Sequence, residues 1–126
     1  MMDDIDGFLP GPHAIEGYGL GGFQFAGMSH RGSLLALPSG IYAWDVTAPD
    51  QLVRSAFARV LAEPPGAIEH LLIGTGPTLL PLFDLRDELR KAGIKAEPMA
   101  TAAAARTYSI LLGEKRKVAA ALLAVP

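Results

Sequence analysis

A glycine-rich bend follows an apolar run at residues 69–77, and its spacing suggests nucleotide chemistry. Gly74, Thr75 and Gly76 come directly after a run with the composition of a buried parallel strand. In dinucleotide-binding folds, such a bend brings backbone N–H groups to a pyrophosphate, and an acidic residue about 20 positions later holds the ribose. Glu97 lies 21 residues after Gly76. The spacing therefore matches half of the dinucleotide fingerprint.

Three features of the same stretch count against a dinucleotide. The third glycine of the fingerprint would fall at position 79, which is Leu79. Pro77 has no N–H to offer a pyrophosphate, and Pro81 delays the helix whose N-terminus should face it. We therefore favour a structural bend that needs backbone freedom, and we expect no cofactor.

The other residue types that could do chemistry form no recognisable catalytic or metal-binding set. His13, His30 and His70 are isolated on different predicted elements, so no metal site is expected. Ser29 and His30 with Asp45 offer the residue types of a catalytic triad, but neighbours in an extended chain point to opposite faces. No Gly-x-Ser-x-Gly elbow and no Walker motif occurs. We expect no catalytic residues.

A polar and aromatic segment interrupts the alanine-rich and leucine-rich stretch after residue 100. It has two interpretations. It is either a solvated helix face with Tyr108 packed against the sheet, or the polar wall of a cleft near the glycine bend. Trp44, at the end of its strand, could join the cleft. The candidate cleft consists of Trp44, Gly74, Thr75, Gly76, Arg106, Thr107 and Tyr108.

Composition indicates one globular domain. The 126 residues are 50% hydrophobic and carry a net charge of −2, with 11 basic and 13 acidic residues. Nucleic-acid binding normally requires a basic surplus, so it is not expected. Cysteine is absent, which excludes disulfides and thiolate chemistry. The first residues are acidic, and no apolar run approaches the roughly 20 residues of a spanning helix. We therefore expect a soluble, cytoplasmic protein without membrane insertion.

The N-terminal third is predicted to contain a tail followed by antiparallel strands. Residues 1–12 are acidic and end with Pro10 and Pro12 around a glycine, so we predict a flexible tail and one domain over residues 13–126. Phe23 and Phe25 alternate with polar or small residues, as in a strand with one buried face. We predict a hairpin loop at residues 29–32 and further strands at 33–37 and 41–44. This meander adds an antiparallel layer or an antiparallel edge.

Helical and strand patterns alternate over the rest of the chain. Thr47 and Asp50 are spaced as a capping box, and the helix that they begin is predicted to reach residue 61. Its apolar face is Leu52, Val53, Ala56, Phe57, Val60 and Leu61. A second helix is predicted over residues 82–92, with Gly93 as its C-cap. This alternation indicates an α/β sheet.

The C-terminal part is predicted to contain a third helix between two strands. Thr101 can cap this helix, which extends to about residue 112. Its inward face is predicted to be Ala103, Thr107, Ile110 and Leu111. The strand before it covers residues 94–99, and Pro98 places that strand at an edge or at its own terminus. Residues 118–125 form a final buried strand.

Short motifs follow one another in a fixed order along residues 14–125. They are Ile15-Glu16-Gly17-Tyr18-Gly19 and Phe23, Gly32-Ser33, Pro38 and Trp44, Leu72-Ile73-Gly74-Thr75-Gly76, Gly93-Ile94 and Met99, Arg106-Thr107-Tyr108, and Val118-Ala119-Ala120-Ala121-Leu122. By the order and spacing of these motifs, the chain resembles one small family of domains of unknown function. The members of that family include a mitochondrial complex I assembly factor and an adipogenesis-associated protein.

The resemblance implies a three-layer α/β fold. In that fold a central mixed, mostly parallel sheet is flanked by helices and carries an extra N-terminal antiparallel β-layer. The resemblance implies no established enzymatic activity. The chain departs from the family pattern around Thr101, which lies between alanines instead of in an Asp-Thr-Gly segment. It also has Ala105 and Ser109 where cysteine and asparagine are expected. A shared chemistry carried by those polar residues is therefore not expected.

Two functional hypotheses follow. The first is a non-catalytic interaction protein that assists assembly of a respiratory or membrane protein complex, because the mitochondrial relative looks like a binder of complex I assembly intermediates. The resemblance also implies a link to membrane-protein biogenesis, because in some bacteria the family gene is similar in placement to genes of the protein-export machinery. The expected partners are proteins of such complexes. The alternative is a small-molecule-binding protein or unrecognised enzyme that uses the cleft at the glycine bend. We favour the first hypothesis because no catalytic set is complete.

Overall fold

Strands and helices are distributed along residues 8–126, the part of the chain that the computed structural model describes. The helices are α1 Ala58–Leu61, α2 Phe83–Lys91 and α3 Thr101–Gly113, and two 3₁₀ turns cover Pro49–Gln51 and Arg54–Phe57. The strands are β1 Phe8–Pro10, β2 Gly17–Gly19, β3 Gly22–Phe25, β4 Met28–Arg31, β5 Leu34–Leu37, β6 Gly40–Ala43, β7 His70–Gly74, β8 Lys95–Met99 and β9 Val118–Leu122.

The strands form two sheets. A six-stranded sheet has the order β1-β6-β5-β9-β7-β8, and a three-stranded antiparallel sheet has the order β2-β3-β4. In the larger sheet β7 pairs in parallel with β8 and β9, whereas the pairs β1–β6, β5–β6 and β5–β9 are antiparallel. The prediction of a mixed sheet is confirmed. The expectation of a mostly parallel sheet is wrong, because three of its five pairings are antiparallel.

Strands β5 and β6 account for this difference, because they join the larger sheet. All 4 residues of β5 are buried. Leu35 packs on one face of the sheet and Leu34 on the other. A continuous apolar run is typical of a strand that is covered on both faces of its sheet. In the structure β5 lies inside the larger sheet, between β6 and β9. Only β2–β4 of the predicted N-terminal meander therefore form a separate antiparallel sheet.

Strand β1 lies at one edge of the larger sheet, within the stretch that the sequence predicts to be a tail. Its residues pair with residues 40–42 of β6, and the N–H of Gly11 donates to the carbonyl of Ser39 at 2.9 Å. The predicted tail is therefore wrong for Phe8–Pro10, which form a strand. Pro10 does not prevent this, because a proline is tolerated in an edge strand. Residues 1–7 of the predicted tail lie outside the described residues.

Apolar side chains form two clusters on opposite faces of the larger sheet. Along β7, Leu71 and Ile73 belong to one cluster and Leu72 to the other, because successive strand residues point to opposite faces. Helix α2 packs on the first cluster, whereas α3 and β3 pack on the second. We call them the α2-side cluster and the α3-side cluster. This division determines which of the predicted site residues can meet.

The hairpin between β3 and β4 turns earlier than the sequence predicts. Phe23 and Phe25 are buried, which confirms the predicted alternation in β3. The hairpin loop predicted at residues 29–32 is wrong, because Met28–Arg31 is a strand. The chain turns at Ala26 and Gly27, which have φ values of +50° and +71°. Two consecutive positive φ angles give a tight turn whose twist matches that of the strands.

The helix predicted over residues 47–61 is broken in the structure. Two 3₁₀ turns precede the 4-residue helix α1, and Val53 between the turns is extended, with φ −124° and ψ 166°. The Nε1–H group of Trp44 donates to the carbonyl of Ala56 at 2.8 Å, and its ring packs edge-on against Phe57 with the centroids 5.4 Å apart. Tertiary contacts of this kind override helix propensity.

The capping box that the sequence predicts at Thr47 and Asp50 is also wrong. The side-chain oxygen of Gln51 accepts hydrogen bonds from the backbone N–H groups of Thr47 at 2.7 Å and Ala48 at 2.9 Å. It also lies 3.0 Å from the Thr47 hydroxyl, which donates to it. Thr47 is therefore a donor to Gln51 and does not cap a helix with Asp50. Val53, predicted on the apolar face, is 52% exposed because it lies in the extended break.

Helix α2 and strand β8 agree with their predictions. Leu85 and Leu89 are the buried residues of α2. Gly93 follows the helix with φ +83°, and the N–H of Ile94 donates to the carbonyl of Leu89 at 3.0 Å. This arrangement is the Schellman motif. Strand β8 lies at the second edge of the larger sheet, as its Pro98 indicates.

Helix α3 is confirmed, but its inward face differs from the predicted one. Ala104, Ala105 and Tyr108 are buried, whereas Ala103 and Ile110 are exposed. An alanine-rich helix has little contrast between its faces, so its periodicity does not define its rotation. The large side chain of Tyr108 sets the rotation by packing into the α3-side cluster.

Candidate functional site

The glycine bend is the place where β7, β9 and the start of α3 meet. Gly74 leaves no room for a side chain, because a Cβ there would lie 2.9 Å from Oγ1 of Thr101 and 3.0 Å from Cδ2 of Leu122. Gly76 has φ +100°, a conformation that side chains disfavour. The predicted need for backbone freedom therefore has two causes, close approach at Gly74 and a left-handed backbone at Gly76.

We expect Gly74→Ala to lower the free energy of unfolding by about 1–3 kcal/mol, because the added methyl group must displace Thr101 or Leu122. Urea unfolding followed by the fluorescence of Trp44, the single tryptophan, measures this change. Gly113→Ala is the matched control, because a Cβ at that helical position meets nothing within 4 Å. Equal losses in the two variants would contradict the close approach at residue 74.

The hydroxyl of Thr75 closes the loop that follows the bend. Thr75 is buried, and its Oγ1 lies 2.6 Å from the carbonyl oxygen of Thr78 and 3.1 Å from that of Met99. The same oxygen accepts the N–H of Leu80 at 3.1 Å. The hydroxyl is thus satisfied by the backbone of its own loop and of the neighbouring strand, and it holds residues 75–80 in place.

The hydroxyl of Thr101 joins three segments of the chain. Its Oγ1 accepts the N–H of Gly76 at 3.0 Å and donates to the carbonyl of Leu123 at 2.8 Å. The N–H of Thr101 also donates to the carbonyl of Gly76 at 2.8 Å. Thr101 is fully buried. The prediction that it caps α3 is therefore wrong, because its hydroxyl bonds to the bend and to the chain after β9 instead of to its own helix.

These bonds use the backbone donors that a pyrophosphate would need. The N–H of Thr75 donates to the carbonyl of Met99 at 2.9 Å, and that of Gly76 to Thr101. Pro77 has no N–H. The three residues after β7 consequently present no unused backbone donor, and this geometry favours the structural interpretation of the bend over the dinucleotide interpretation.

The polar segment of α3 forms hydrogen bonds with the backbone of residues 13–15. Tyr108 is fully buried, and its hydroxyl donates to the carbonyl of His13 at 3.0 Å. Burial raises the pKa of Tyr108 well above its ordinary value. The hydroxyl of Ser109 accepts the N–H of Ile15 at 2.8 Å and donates to its carbonyl at 3.2 Å. Both residues therefore hold residues 13–15 against α3.

The predicted cleft residues lie in different places. Trp44 belongs to the α2-side cluster and Tyr108 to the α3-side cluster, so the larger sheet separates them. Arg106 is exposed and Thr107 is half-buried on α3. The bend at residues 74–76 is buried against Thr101. The structure does not bring this set together around one cleft, and the interpretation of Tyr108 as a packed residue fits its surroundings.

Among the grooves elsewhere on the described surface are two that combine charged and apolar side chains and that the sequence did not indicate. One of about 630 Å³ lies between α2 and β8, with Phe83 at its rim. The other, of about 560 Å³, contains Trp44 together with Arg31 and Arg59. Phe83 could have been noticed, because it falls outside the apolar stripe of its helix. The arginines belong to segments distant in sequence, and only the fold brings them together.

Neither a metal site nor a membrane-spanning helix is found in the described region. Within residues 8–126, no group of three or more histidine, aspartate or glutamate side chains could hold a metal ion. No helix of that region is long and apolar enough to cross a lipid bilayer. Every buried side-chain nitrogen or oxygen there has a hydrogen-bond partner. The described buried polar groups are therefore engaged in holding the fold.

The fold and the site define a mixed α/β domain with a six-stranded mixed sheet and a second, three-stranded sheet, in which the glycine bend is a structural junction. The chain belongs to a family of proteins of unknown function, DUF498/DUF598, whose family model matches residues 15–123. The resemblance inferred from the motifs is thereby confirmed.

Two relatives are similar in sequence to this chain over most of its length. An uncharacterised protein of Rhodobacter capsulatus is 45% identical over 113 residues, which cover 89% of this chain and 85% of that protein. The NADH dehydrogenase [ubiquinone] 1 alpha subcomplex assembly factor 3 of Danio rerio is 36% identical over 114 residues. The match covers 89% of this chain but only 64% of the Danio protein, which is less than two thirds of its length.

A solved structure has the same fold. The crystal structure of an outer membrane protein from Bartonella henselae superposes with a TM-score of 0.87 at 50% sequence identity. The match covers 93% of this chain and 98% of that one. The mixed α/β architecture described above is therefore shared by a protein of closely similar sequence.

Proposed function

We propose that this protein is a non-catalytic interaction protein that assists the assembly of a respiratory or membrane protein complex. The observation that carries the proposal is the 36% identity with a complex I assembly factor over nearly the whole chain. The buried polar groups described above serve the fold, which agrees with a binding role. The partners that we propose are proteins of such complexes or of their assembly machinery.

The groove between α2 and β8 is the surface that we propose for the partner. Phe83 at its rim is 71% exposed, and Ile94 and Ala96 in its lining are almost fully buried and apolar. Exposed aromatic rings beside an apolar floor are typical of protein interfaces. Such a groove fits an apolar side chain of a partner segment.

The charges around the groove favour a partner segment that carries a carboxylate. Arg86, Arg90 and Lys95 line the groove together with two acidic residues. One of these, Asp87, already forms ion pairs with Arg90 and Lys91 on α2. Arg86 and Lys95 form no ion pair within the described part of the chain. An acidic side chain next to the inserted apolar one would find these two cations.

We expect Phe83→Ser to reduce recovery of the partner about tenfold, because large exposed aromatic side chains often dominate an interface. The measurement is affinity capture from the native host in mild detergent, quantified by mass spectrometry. The result that supports the proposal is enrichment of complex I subunits or export-machinery proteins over an unrelated bait. The free energy of unfolding should change little, because an exposed side chain contributes little to the core.

Ile110→Ser is the matched control for that experiment. Ile110 is an exposed apolar residue, 55% accessible, on α3, which lies on the other face of the larger sheet. It should leave recovery unchanged. Equal recovery with Phe83→Ser and the parent protein would remove the α2–β8 groove from the proposal. Capture of no complex I or export-machinery protein by the parent would contradict the assembly function itself.

Two finer statements belong to the same proposal. We infer a three-layer arrangement, because α2 and α3 pack on opposite faces of the larger sheet and the smaller sheet lies on the α3 side. We also propose a cytoplasmic location for the protein. Fractionation of the native host with an antibody against the protein tests that location.

A further inference from the structure

The groove beside Trp44 combines unpaired positive charge with an apolar wall. Two guanidinium groups, Arg31 at the end of β4 and Arg59 in α1, line it. Leu35 and Trp44, both almost fully buried, form part of its apolar lining. The groove has a volume of about 560 Å³, enough for a small organic molecule.

The arginines of this groove have no carboxylate partner within the described residues. Asp45 also lines the groove, but neither guanidinium lies within 4.0 Å of a carboxylate oxygen. The two ion pairs of the described chain both involve Asp87 on α2. The groove therefore carries two cations against one anion, and both guanidinium groups remain available to an added anion.

Arg59 is held in position by a chain of contacts. Its guanidinium carbon lies 4.3 Å from the centroid of the Tyr42 ring. The hydroxyl of Tyr42 is 2.5 Å from Oγ of Ser39, and the Ser39 hydroxyl donates to Glu63 at 2.6 Å. A guanidinium over an aromatic face keeps the N–H groups at its edge free to bind a carboxylate or phosphate in a bidentate manner. Arg59 is therefore preorganised for an oxyanion.

We propose that this groove binds a small organic anion. Its carboxylate or phosphate group would bind Arg31 and Arg59, and its apolar body would lie along Leu35 and Trp44. The inference rests on the geometry of this groove and does not depend on the assembly function. The site is also distinct from the predicted cleft at the glycine bend, because Arg106 and Tyr108 lie on the other side of the larger sheet.

Trp44 makes the proposal directly testable, because it is the only tryptophan of the chain and lines the groove. The probe is phenyl phosphate, titrated at low ionic strength while the emission of Trp44 is recorded. Two comparison compounds separate the two contacts: inorganic phosphate has only the anionic group, and benzyl alcohol has only the apolar ring. We expect phenyl phosphate to bind at least about tenfold more tightly than either, since charge and apolar contact both contribute.

The variants Arg31→Gln and Arg59→Gln assign that binding to the groove. Each should weaken phenyl phosphate binding about tenfold or more, because a charged hydrogen bond is lost. Arg106→Gln removes the same charge from an exposed position of α3 and should bind like the parent. Isothermal calorimetry provides a second readout that does not depend on Trp44.

Three results would overturn the proposal. The parent protein could show neither a fluorescence change nor heat with phenyl phosphate at millimolar concentration. Arg31→Gln and Arg59→Gln could bind as well as the parent. Arg106→Gln could instead abolish binding, which would move the anion to the other side of the sheet and favour the cleft predicted from the sequence.

Discussion

Thr101→Val is expected to lower the free energy of unfolding by about 2–5 kcal/mol. Valine has the shape of threonine but lacks the hydroxyl that joins Gly76 to Leu123. The N–H of Gly76 and the carbonyl of Leu123 would both lose this partner inside the protein. A buried polar group left unpaired costs about 1–3 kcal/mol, and two such groups are involved. Urea unfolding monitored by the fluorescence of Trp44 measures the loss.

Thr101→Ser separates the hydrogen bonds from the packing of the methyl group. Serine keeps the hydroxyl and removes one methyl, so we expect a loss of only about 1 kcal/mol. A valine variant that is as stable as the serine variant would show that the two bonds contribute little. In that case the junction at the bend would depend on the close approach of Gly74, which the Gly74→Ala variant probes independently.

Local sequence patterns predicted the elements whose structure is determined by their own residues. Helix α2 shows clear periodicity and ends at Gly93, and both features follow from local physical chemistry. Strand β7 and the edge position of β8 also agree, because an apolar run and Pro98 constrain the backbone wherever they occur. These elements frame the bend, so its position at the end of a parallel strand was predictable.

Other elements depend on contacts that a single sequence does not display. The segment over residues 47–61 has a helical pattern, yet the bond from Trp44 to Ala56 and the packing on Phe57 accompany a break at Val53. The pairing of β5 with β9 joins residues about 85 positions apart in the chain, for example Leu34 with Leu122. The apolar run of β5 was the available signal for a central strand.

The candidate site also depends on contacts between residues that are distant in sequence. Three of its members, Gly74, Thr75 and Gly76, are neighbours in sequence and do form one bend. Trp44 and Tyr108 were grouped with them by residue type, and the sheet places them on opposite faces. Residue type and spacing therefore identified the bend but not its surroundings. The hydroxyl of Thr101, 25 positions from Gly76, is what completes it.

Tyr108→Ala is expected to lower the free energy of unfolding by about 3–5 kcal/mol. The ring is fully buried in the α3-side cluster, and removal of a buried aromatic side chain leaves a cavity that the fold fills only partly. The carbonyl of His13 also loses its partner. Ala103→Gly, at an exposed position of the same helix, controls for changes in helix propensity and should cost about 1 kcal/mol. Urea unfolding compares the two, and equal losses would contradict the buried role of the ring.

Tyr108→Phe separates the hydroxyl from the ring and predicts how stability depends on pH. Burial keeps the phenol protonated in the folded protein, so its pKa is raised above the value near 10 of an unfolded chain. Its contribution is therefore complete below pH 10 and is lost as the pH rises further, by about 1.4 kcal/mol per unit until the folded pKa is reached. The parent should lose about that much more stability than Tyr108→Phe between pH 9 and pH 11. Parallel pH profiles for the two proteins would show that Tyr108 ionises as easily when folded as when unfolded, and that its hydroxyl is open to water.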